Sequence, residues 1–249
     1  MANGKTKENK LFQAWALVAP GLTAFQILDS RGKDAAATVL GDFTGILMAD
    51  GYTVYQSLAN QHGRFVVANC WSHARRKFIE AEPNFPAEAS VALGWIAELY
   101  AVEREATDAT RAELRAARAA PVVDALMAWA RETQPTTLPQ SGIAKAIGYL
   151  LNLEIGLRRY LSDPRVPIDN NPCERELRAL ALGRKNHYGS RSRRGTEVAA
   201  IFYTLIASAK LAGVSPRAYL QAATERAIRV PDAVLMPGSF AAEQGEAPG

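Results

Sequence analysis

The sequence has few cysteines and lacks the common enzymatic signatures. Two cysteines occur among its 249 residues, at Cys70 and Cys173. That is too few for a disulfide framework or a four-cysteine zinc site, so a reducing compartment is expected. The motifs GxxxxGK[ST], GxGxxG, GxSxG and HExxH are all missing from the sequence. Their absence removes most support for P-loop nucleotidases, dinucleotide-dependent enzymes, serine hydrolases and zinc proteases.

The composition excludes a disordered or fibrous chain. Hydrophobic residues make up 48% and charged residues 22%, both close to globular averages. A chain of this length can bury the core of one large domain or two small ones. The formal net charge of +4 is a weak indication of polyanion binding until the charges are placed along the chain.

The uncharged run at residues 11–28 permits two interpretations. Lysines precede it, as they precede a signal peptide or a short membrane span. However, Pro20-Gly21 at its centre suits a type II turn, and both flanks have the length and composition of strands. The sequence therefore favours a β-hairpin in a cytoplasmic protein with no membrane association.

The remaining pattern predicts a strand-rich first quarter followed by helices. Short apolar runs at 45–49 and 64–70 are typical of buried strands, and helices are predicted beside them, which favours a mixed α/β sheet. Further helices are predicted at 33–41, 52–60, 72–81, 87–119, 121–129 and 143–161. Residues 238–249 lack periodicity and are predicted to form a disordered tail.

Asp50 is the first candidate functional residue. It follows the strand predicted at 45–49 and precedes Gly51. Ligand and metal sites in α/β folds gather at the carboxyl ends of strands, which makes this carboxylate a candidate ligand. Asp-Gly also begins many ordinary turns, so both interpretations stay open.

Glu174 is the second candidate, within residues 168–178. Asn171 as N-cap, Pro172 at N1 and Glu174 at N3 form a capping-box arrangement. A carboxylate on the first turn of a rigid helix can also point towards Asp50 and share Mg²⁺ with it. One glutamate can serve both purposes, and the sequence does not choose between them.

Basic residues are concentrated in two places. The stretch 184–194 is predicted to be a loop and contains no acid, which favours contacts with nucleic-acid phosphates over a solvated surface loop. A smaller basic patch is predicted on the helix that follows Cys70. The predicted DNA-binding residues are Arg75, Arg76, Lys77, Arg184, Lys185, Arg191, Arg193 and Arg194.

Cys70 and His73 have the spacing of half a zinc site. No second pair of this kind is present, so a packing role at the start of a helix is the favoured interpretation.

Taken in order, these segments resemble the transposases of the insertion sequence 66 family, which are encoded by bacterial mobile elements. The matching stretches are DFTGILMADGY (42–52), CWSHARRKF (70–78), DNNPCERELR (169–178), GRKN (183–186) and IFYTLIASAKLAGV (201–214). They cover nearly the whole chain in the family's order.

The resemblance implies a ribonuclease-H-like α/β core of the Asp-Asp-Glu type, incomplete because its first strand is missing. Asp50 matches the family's second catalytic aspartate and Glu174 its glutamate, both as ligands of Mg²⁺, for which Mn²⁺ can substitute. Cys70 and His73 match a Cys-x-x-His signature, and Asn170 and Asn171 belong to the structural motif before the glutamate. The implied divisions are a strand-rich core at 1–71, a helical insertion at 72–163, the glutamate helix and basic loop at 164–200, a helical region at 201–237 and the tail at 238–249.

One departure from the family concerns its first catalytic aspartate. That residue belongs to an Asp-Glu-Thr segment preceding the region that residues 4–18 match, and Asp29 and Asp34 match no catalytic position. The expectation is a truncated transposase, inactive in strand transfer by itself, whose partners are element-end and target DNA and a second copy or a full-length transposase. The alternatives are a non-catalytic DNA-binding or assembly fragment that interferes with a full-length transposase, and a stand-alone nuclease with an unrecognised third carboxylate.

Overall fold

The computed structural model describes residues 12–186 and 193–245, and the chain divides into two compact units. Residues 1–39 and 172–249 form one, here called the hairpin unit, and residues 40–171 form the other, here called the parallel-sheet unit. The protein is mixed α/β and mostly helical with small sheets, which confirms the α/β part of the predicted fold class.

The secondary structure alternates in the first part of the chain and is helical afterwards. The strands are β1 (Gln13–Ala19), β2 (Leu22–Leu28), β3 (Gly45–Ala49) and β4 (Phe65–Asn69). The helices are α1 (Lys33–Leu40), α2 (Thr53–His62), α3 (Trp71–Ala81), α4 (Pro86–Glu105), α5 (Arg111–Leu114), α6 (Ala120–Thr133), α7 (Gly142–Asn152), α8 (Glu154–Ser162), α9 (Asn171–Asn186), α10 (Arg193–Leu211), α11 (Pro216–Arg229) and α12 (Pro237–Gly245). A π-helical turn, Arg115–Ala119, joins α5 to α6.

The hairpin predicted at residues 11–28 is confirmed. β1 and β2 pair antiparallel with Ala19 opposite Leu22, and Gly21 has a φ of +72°, as the third position of a type II turn requires. No single helix of the described ranges is long and apolar enough to cross a membrane. Helices α10 and α11 pass that test of length and composition only as a pair, which is bent by 119°.

Helix α10 covers the edge of β2 that does not face β1. The Phe25 N–H donates to Thr204 Oγ1 at 2.9 Å, while Ser208 Oγ accepts from the Thr23 N–H at 3.1 Å and donates to the Thr23 carbonyl at 2.8 Å. Residues four apart lie on one face of a helix, so the two hydroxyls follow the strand side by side. The helix thereby satisfies backbone groups that an edge strand would otherwise expose.

Residues 238–245 differ from the predicted disordered tail, because α12 occupies Pro237–Gly245. Phe240 is buried against Tyr219 with ring centroids 5.9 Å apart, and Leu235 belongs to the same cluster. The Tyr219 hydroxyl also donates to the Leu235 carbonyl at 2.8 Å. The burial of Phe240 against Tyr219 therefore orders this segment of mostly small and polar residues. The local periodicity of the sequence does not indicate such a contact. Residues 246–249 lie outside the described part of the chain.

The parallel-sheet unit contains the strands predicted at 45–49 and 64–70. β3 and β4 pair in parallel with Leu47 beside Val67, and α2 forms the crossover between them. Helix α8 packs closely against β4: a Cβ added at Gly156 would lie 1.9 Å from Asn69 Oδ1. The Arg159 side chain on the same helix donates to the Val67 carbonyl at 2.9 Å. One edge of the pair is therefore covered by α8.

Two of the predicted long helices are broken. The helix predicted at 87–119 is interrupted between α4 and α5, where the backbone N–H of Thr107 and that of Thr110 each donate to the other's hydroxyl oxygen. Such side-chain bonds compete with the helical ladder. The helix predicted at 143–161 breaks at Leu153, which packs against the core of the unit.

A buried ion pair ties the helical part of this unit together. Arg115, on the π-helical turn, is almost fully buried and donates to both carboxylate oxygens of Glu103 at 2.7 and 2.8 Å. It also donates to the carbonyls of Tyr160 and Asp163 at 2.5 and 3.0 Å. Bidentate pairing and two carbonyls offset the desolvation of the guanidinium, which would otherwise be prohibitive.

Alanine substitutions at two helical glycines should have opposite effects on stability. Gly148 has nothing within 4 Å of an added Cβ, so Gly148→Ala should stabilise by up to about 1 kcal/mol through helix propensity. Gly156→Ala should destabilise by about 2 kcal/mol or more, because the methyl group would collide with Asn69. Urea denaturation of both variants measures the difference, and equal shifts would show that α8 does not need this close approach.

Candidate functional site

Asp50 lies directly after β3, at the carboxyl end of the parallel pair. Its Oδ1 accepts a hydrogen bond from the backbone N–H of Tyr52 at 3.1 Å, which is an Asx turn. The turn-forming role is therefore confirmed. The residue is exposed, so its carboxylate stays a candidate ligand.

Gly51 and Tyr149 fix the backbone at this position. Gly51 has a φ of +89°, and a Cβ there would lie 2.8 Å from both Tyr149 Oη and Leu153 Cδ1. The Tyr149 hydroxyl donates to the Asp50 carbonyl at 2.6 Å. Burial, followed by the nearby charge of Asp50, raises the pKa of Tyr149 to about 12, so the hydroxyl keeps its proton near neutral pH. Sequence reasoning missed Tyr149, because 99 residues separate it from Asp50 and no local signal links them.

Cys70 lies at the carboxyl end of β4, at the N-cap position of α3, and is fully buried. Its Sγ and the Ser72 hydroxyl are 3.1 Å apart, and the Asn170 N–H donates to Sγ at 3.4 Å. Burial raises the pKa of the thiol, but hydrogen bonds from the His73 and Ser72 side chains and from the Asn170 backbone outweigh it, so the pKa is lowered overall. The predicted motif residues Cys70, His73 and Asn170 thus meet at one point.

Helix α9 begins at Asn171, one residue before the predicted position, which is within the usual uncertainty of a helix boundary. The side chain that accepts from the Asn171 N–H is Asp169, at 3.1 Å. Glu174 lies on the first turn of α9, as predicted, and is half-buried.

The two residues predicted as metal ligands lie in different units of the chain. Asp50 belongs to the parallel-sheet unit and Glu174 to the hairpin unit. Within residues 12–186 and 193–245, no three or more His, Cys, Asp or Glu side chains are arranged so that they could hold a metal ion. The half-zinc interpretation of Cys70 and His73 likewise finds no further ligands among these residues.

The basic residues of α3 differ in their surroundings. Arg75 and Arg76 are exposed. Lys77 is half-buried and pairs with Glu80 at 3.0 Å. The two arginines are therefore more exposed to solvent than the lysine is.

The second basic stretch is helical at both ends, which corrects the prediction that 184–194 is entirely a loop. Arg184 and Lys185 lie in the last turn of α9, and their side chains are outside the described part of the structure, as is the whole of Arg191. Arg193 and Arg194 open α10 and are exposed. Arg193 pairs with Glu197 at 3.1 Å, an exposed i,i+4 pair of the kind that is weak in water.

Comparison with known families shows the family of the chain. Residues 1–198 match the family described as "Transposase IS66 family". The chain belongs to the IS66 family of transposases. The matched region contains Asp50, Cys70, His73 and Glu174, and it ends inside α10.

Three relatives of this IS66-family chain come from Sinorhizobium fredii. The uncharacterized protein y4jD is 33% identical over 96% of the chain and 51% of its own length. The uncharacterized proteins y4qI and y4hP are 33% and 29% identical, each over 81% of the chain and 39% and 40% of their lengths. The chain thus spans about half or less of these relatives. No solved structure gives a significant match.

Substitution of Gly51 should be more damaging than substitution of a comparable glycine nearby. Gly51→Ala combines an unfavourable φ with a collision against Tyr149 and Leu153, and should cost about 2–4 kcal/mol. Gly63 also has a positive φ, of +63°, but no atoms within 4 Å of an added Cβ, so Gly63→Ala should cost only about 1 kcal/mol. Thermal denaturation compares the two, and equal losses would exclude a tight contact behind Asp50.

Proposed function

We propose that this chain acts in DNA transposition of an insertion element and supplies Asp50 and Glu174 to a metal-dependent Asp-Asp-Glu site. The supporting observation is the family match, which contains both residues, together with the position of Asp50. An exposed carboxylate held rigidly at the carboxyl end of parallel strands is where α/β folds place ligands. Carboxylate oxygens are the ligands that Mg²⁺ and Mn²⁺ prefer.

The proposed core is ribonuclease-H-like. An antiparallel hairpin, a helix, and then two parallel strands joined by a crossover helix form the order of elements that supports this assignment. In the described residues the hairpin and the parallel pair are two separate two-stranded sheets.

Completion of the site requires a further carboxylate beside Asp50 and Glu174. Two-metal phosphoryl-transfer sites need ligands that hold both ions in fixed geometry, and two carboxylates do not provide this. We therefore infer that the chain does not catalyse strand transfer by itself.

DNA binding is assigned to the arginines that the structure leaves exposed. Arg75 and Arg76 on α3, and Arg193 and Arg194 at the start of α10, are exposed. Guanidinium groups match phosphate oxygens bidentately, so contacts of this type hold the DNA backbone without reading the bases.

A second candidate function is that of an assembly fragment that associates with a second copy or a full-length transposase and interferes with it. The observation that favours it is an exposed apolar face on α10 formed by Val198, Ile201 and Phe202. Residues at this spacing share one side of a helix, and clustered exposed apolar side chains are typical of interaction surfaces.

Removal of the two α10 arginines should weaken binding to duplex DNA, whatever the base sequence of that DNA. Arg193→Gln with Arg194→Gln should lower affinity for duplex DNA. It should also reduce the slope of log K against log salt by about 0.9 for each phosphate that the variant no longer neutralises. Arg217→Gln is a matched control, since Arg217 is exposed on α11, outside the predicted set. Fluorescence anisotropy at several salt concentrations measures the slope. An unchanged slope in the double variant would remove Arg193 and Arg194 from the interface.

The purified chain should neither nick DNA nor transfer strands above the level of its Asp50→Ala variant. A gel assay with labelled element-end DNA and either Mg²⁺ or Mn²⁺ measures both reactions. Robust activity that Asp50→Ala abolishes would confirm Asp50 as catalytic and overturn the inference that the chain is inactive alone. Activity that Asp50→Ala leaves intact would overturn the assignment of Asp50.

A further inference from the structure

Asp169 is a buried carboxylate with three hydrogen bonds, and neither the sequence motifs nor the proposed function assigns it a role. It is 8% exposed. Its Oδ1 accepts from the Asn171 backbone N–H at 3.1 Å, and its Oδ2 accepts from Asn171 Nδ2 at 2.7 Å and from the Tyr100 hydroxyl at 3.0 Å. Burial and the charge of Asp169 raise the pKa of Tyr100, so the tyrosine keeps its proton and remains a donor.

Cys70 accepts a hydrogen bond from the backbone of Asn170, as Asp169 does from the backbone of Asn171. Its sulfur accepts from the Asn170 N–H at 3.4 Å, and the adjacent backbone is anchored where the Trp71 N–H donates to the Ile168 carbonyl at 3.1 Å. Sulfur is normally a weak acceptor. Here the sulfur is fully buried, and a hydrogen bond is electrostatically stronger in a low-dielectric interior than in water.

Two consecutive backbone N–H groups, those of Asn170 and Asn171, are therefore held by two side-chain acceptors. The first N–H groups of a helix have no partner inside the helix and need an external acceptor. Cys70 and Asp169, with Tyr100 behind Asp169, form what is here called the acceptor clamp. The clamp lies where the chain enters α9, three residues before Glu174.

We propose that Cys70 and Asp169 are positioning residues, which fix the first turn of α9 and thereby the place of Glu174. The consequence for catalysis rests on the proposed function of Glu174 as a metal ligand, but the clamp itself does not. Neither Cys70 nor Asp169 touches substrate in this proposal; each acts through the backbone of Asn170 or Asn171.

Amide hydrogen exchange, followed by NMR on the full chain without metal or DNA, tests the clamp directly. Cys70→Ala removes the acceptor, and should speed exchange at the amides of Asn170 and Glu174 by about fivefold or more, as expected for loss of one hydrogen bond. Cys70→Ser leaves an oxygen acceptor near the same place and should restore most of the protection. Cys173→Ala is the matched control, because the Cys173 thiol faces the Ala16 carbonyl at 3.5 Å and not the clamp.

The exchange rate of the Glu174 amide distinguishes a positioning role of Cys70 from a purely local one. Faster exchange at Asn170 alone would mean that Cys70 holds only its own neighbour, and would overturn the proposal. So would an equal effect of Cys70→Ser and Cys70→Ala, or a uniform rise in exchange across α4 and α7, which would indicate general destabilisation.

Tyr100→Phe provides a milder second variant, which tests the other half of the clamp. It removes one donor to Asp169 with almost no change in volume, and should speed exchange at Asn171 and Glu174 by a smaller factor of about two to five. No change at either amide would exclude Tyr100 from the clamp. None of these measurements needs catalytic activity. A negative strand-transfer assay would therefore not contradict the clamp, and unchanged amide exchange would not contradict the proposed function.

Discussion

Burial of Trp71 at the end of β4 is the constraint on which the parallel-sheet unit depends. Its side chain is fully buried, its ring lies edge-on to Tyr160 with centroids 6.3 Å apart, and its Nε1 donates to the Leu157 carbonyl at 3.0 Å. Its backbone N–H holds the Ile168 carbonyl. A single residue thus joins the strand, α3, α8 and the segment that leads into α9. An indole of this size gains several kcal/mol from burial only if its N–H finds a partner, which explains why α8 must approach so closely.

That close approach determines much else in the unit. Gly156 lets α8 reach Asn69, and Arg159 on α8 satisfies a carbonyl of β4. The buried pair of Arg115 and Glu103 then holds the end of α8 through the Tyr160 carbonyl. The side chains of Arg159, Arg115 and Glu103 are therefore bonded to backbone carbonyls or to one another, as burial in a low-dielectric interior requires.

The carboxylates of the unit take distinct roles according to their exposure. Asp50 is exposed and forms one hydrogen bond through its side chain to a turn, so it is available to an external ligand. Asp169 is buried and accepts three hydrogen bonds, one from the Asn171 backbone and two from the side chains of Asn171 and Tyr100. Both residues are followed by residues typical of turns, Gly51 and Asn170. The difference between an exposed carboxylate and a fully hydrogen-bonded one was therefore decided by packing, in particular by Tyr100 from α4.

The sequence by itself determined the local elements and the family. Pro20-Gly21 specified the hairpin, the apolar runs specified β3 and β4, and the ordered motifs identified an IS66-family chain, because turn chemistry and short hydrophobic runs act within a few residues. Only the tertiary structure decided the burial of Phe240 that orders α12, and the contacts of Tyr149 and Tyr100 with the backbone of Asp50 and the side chain of Asp169. Most of these contacts join residues far apart along the chain. Whether such groups meet depends on how helices pack, which no local pattern of residues encodes.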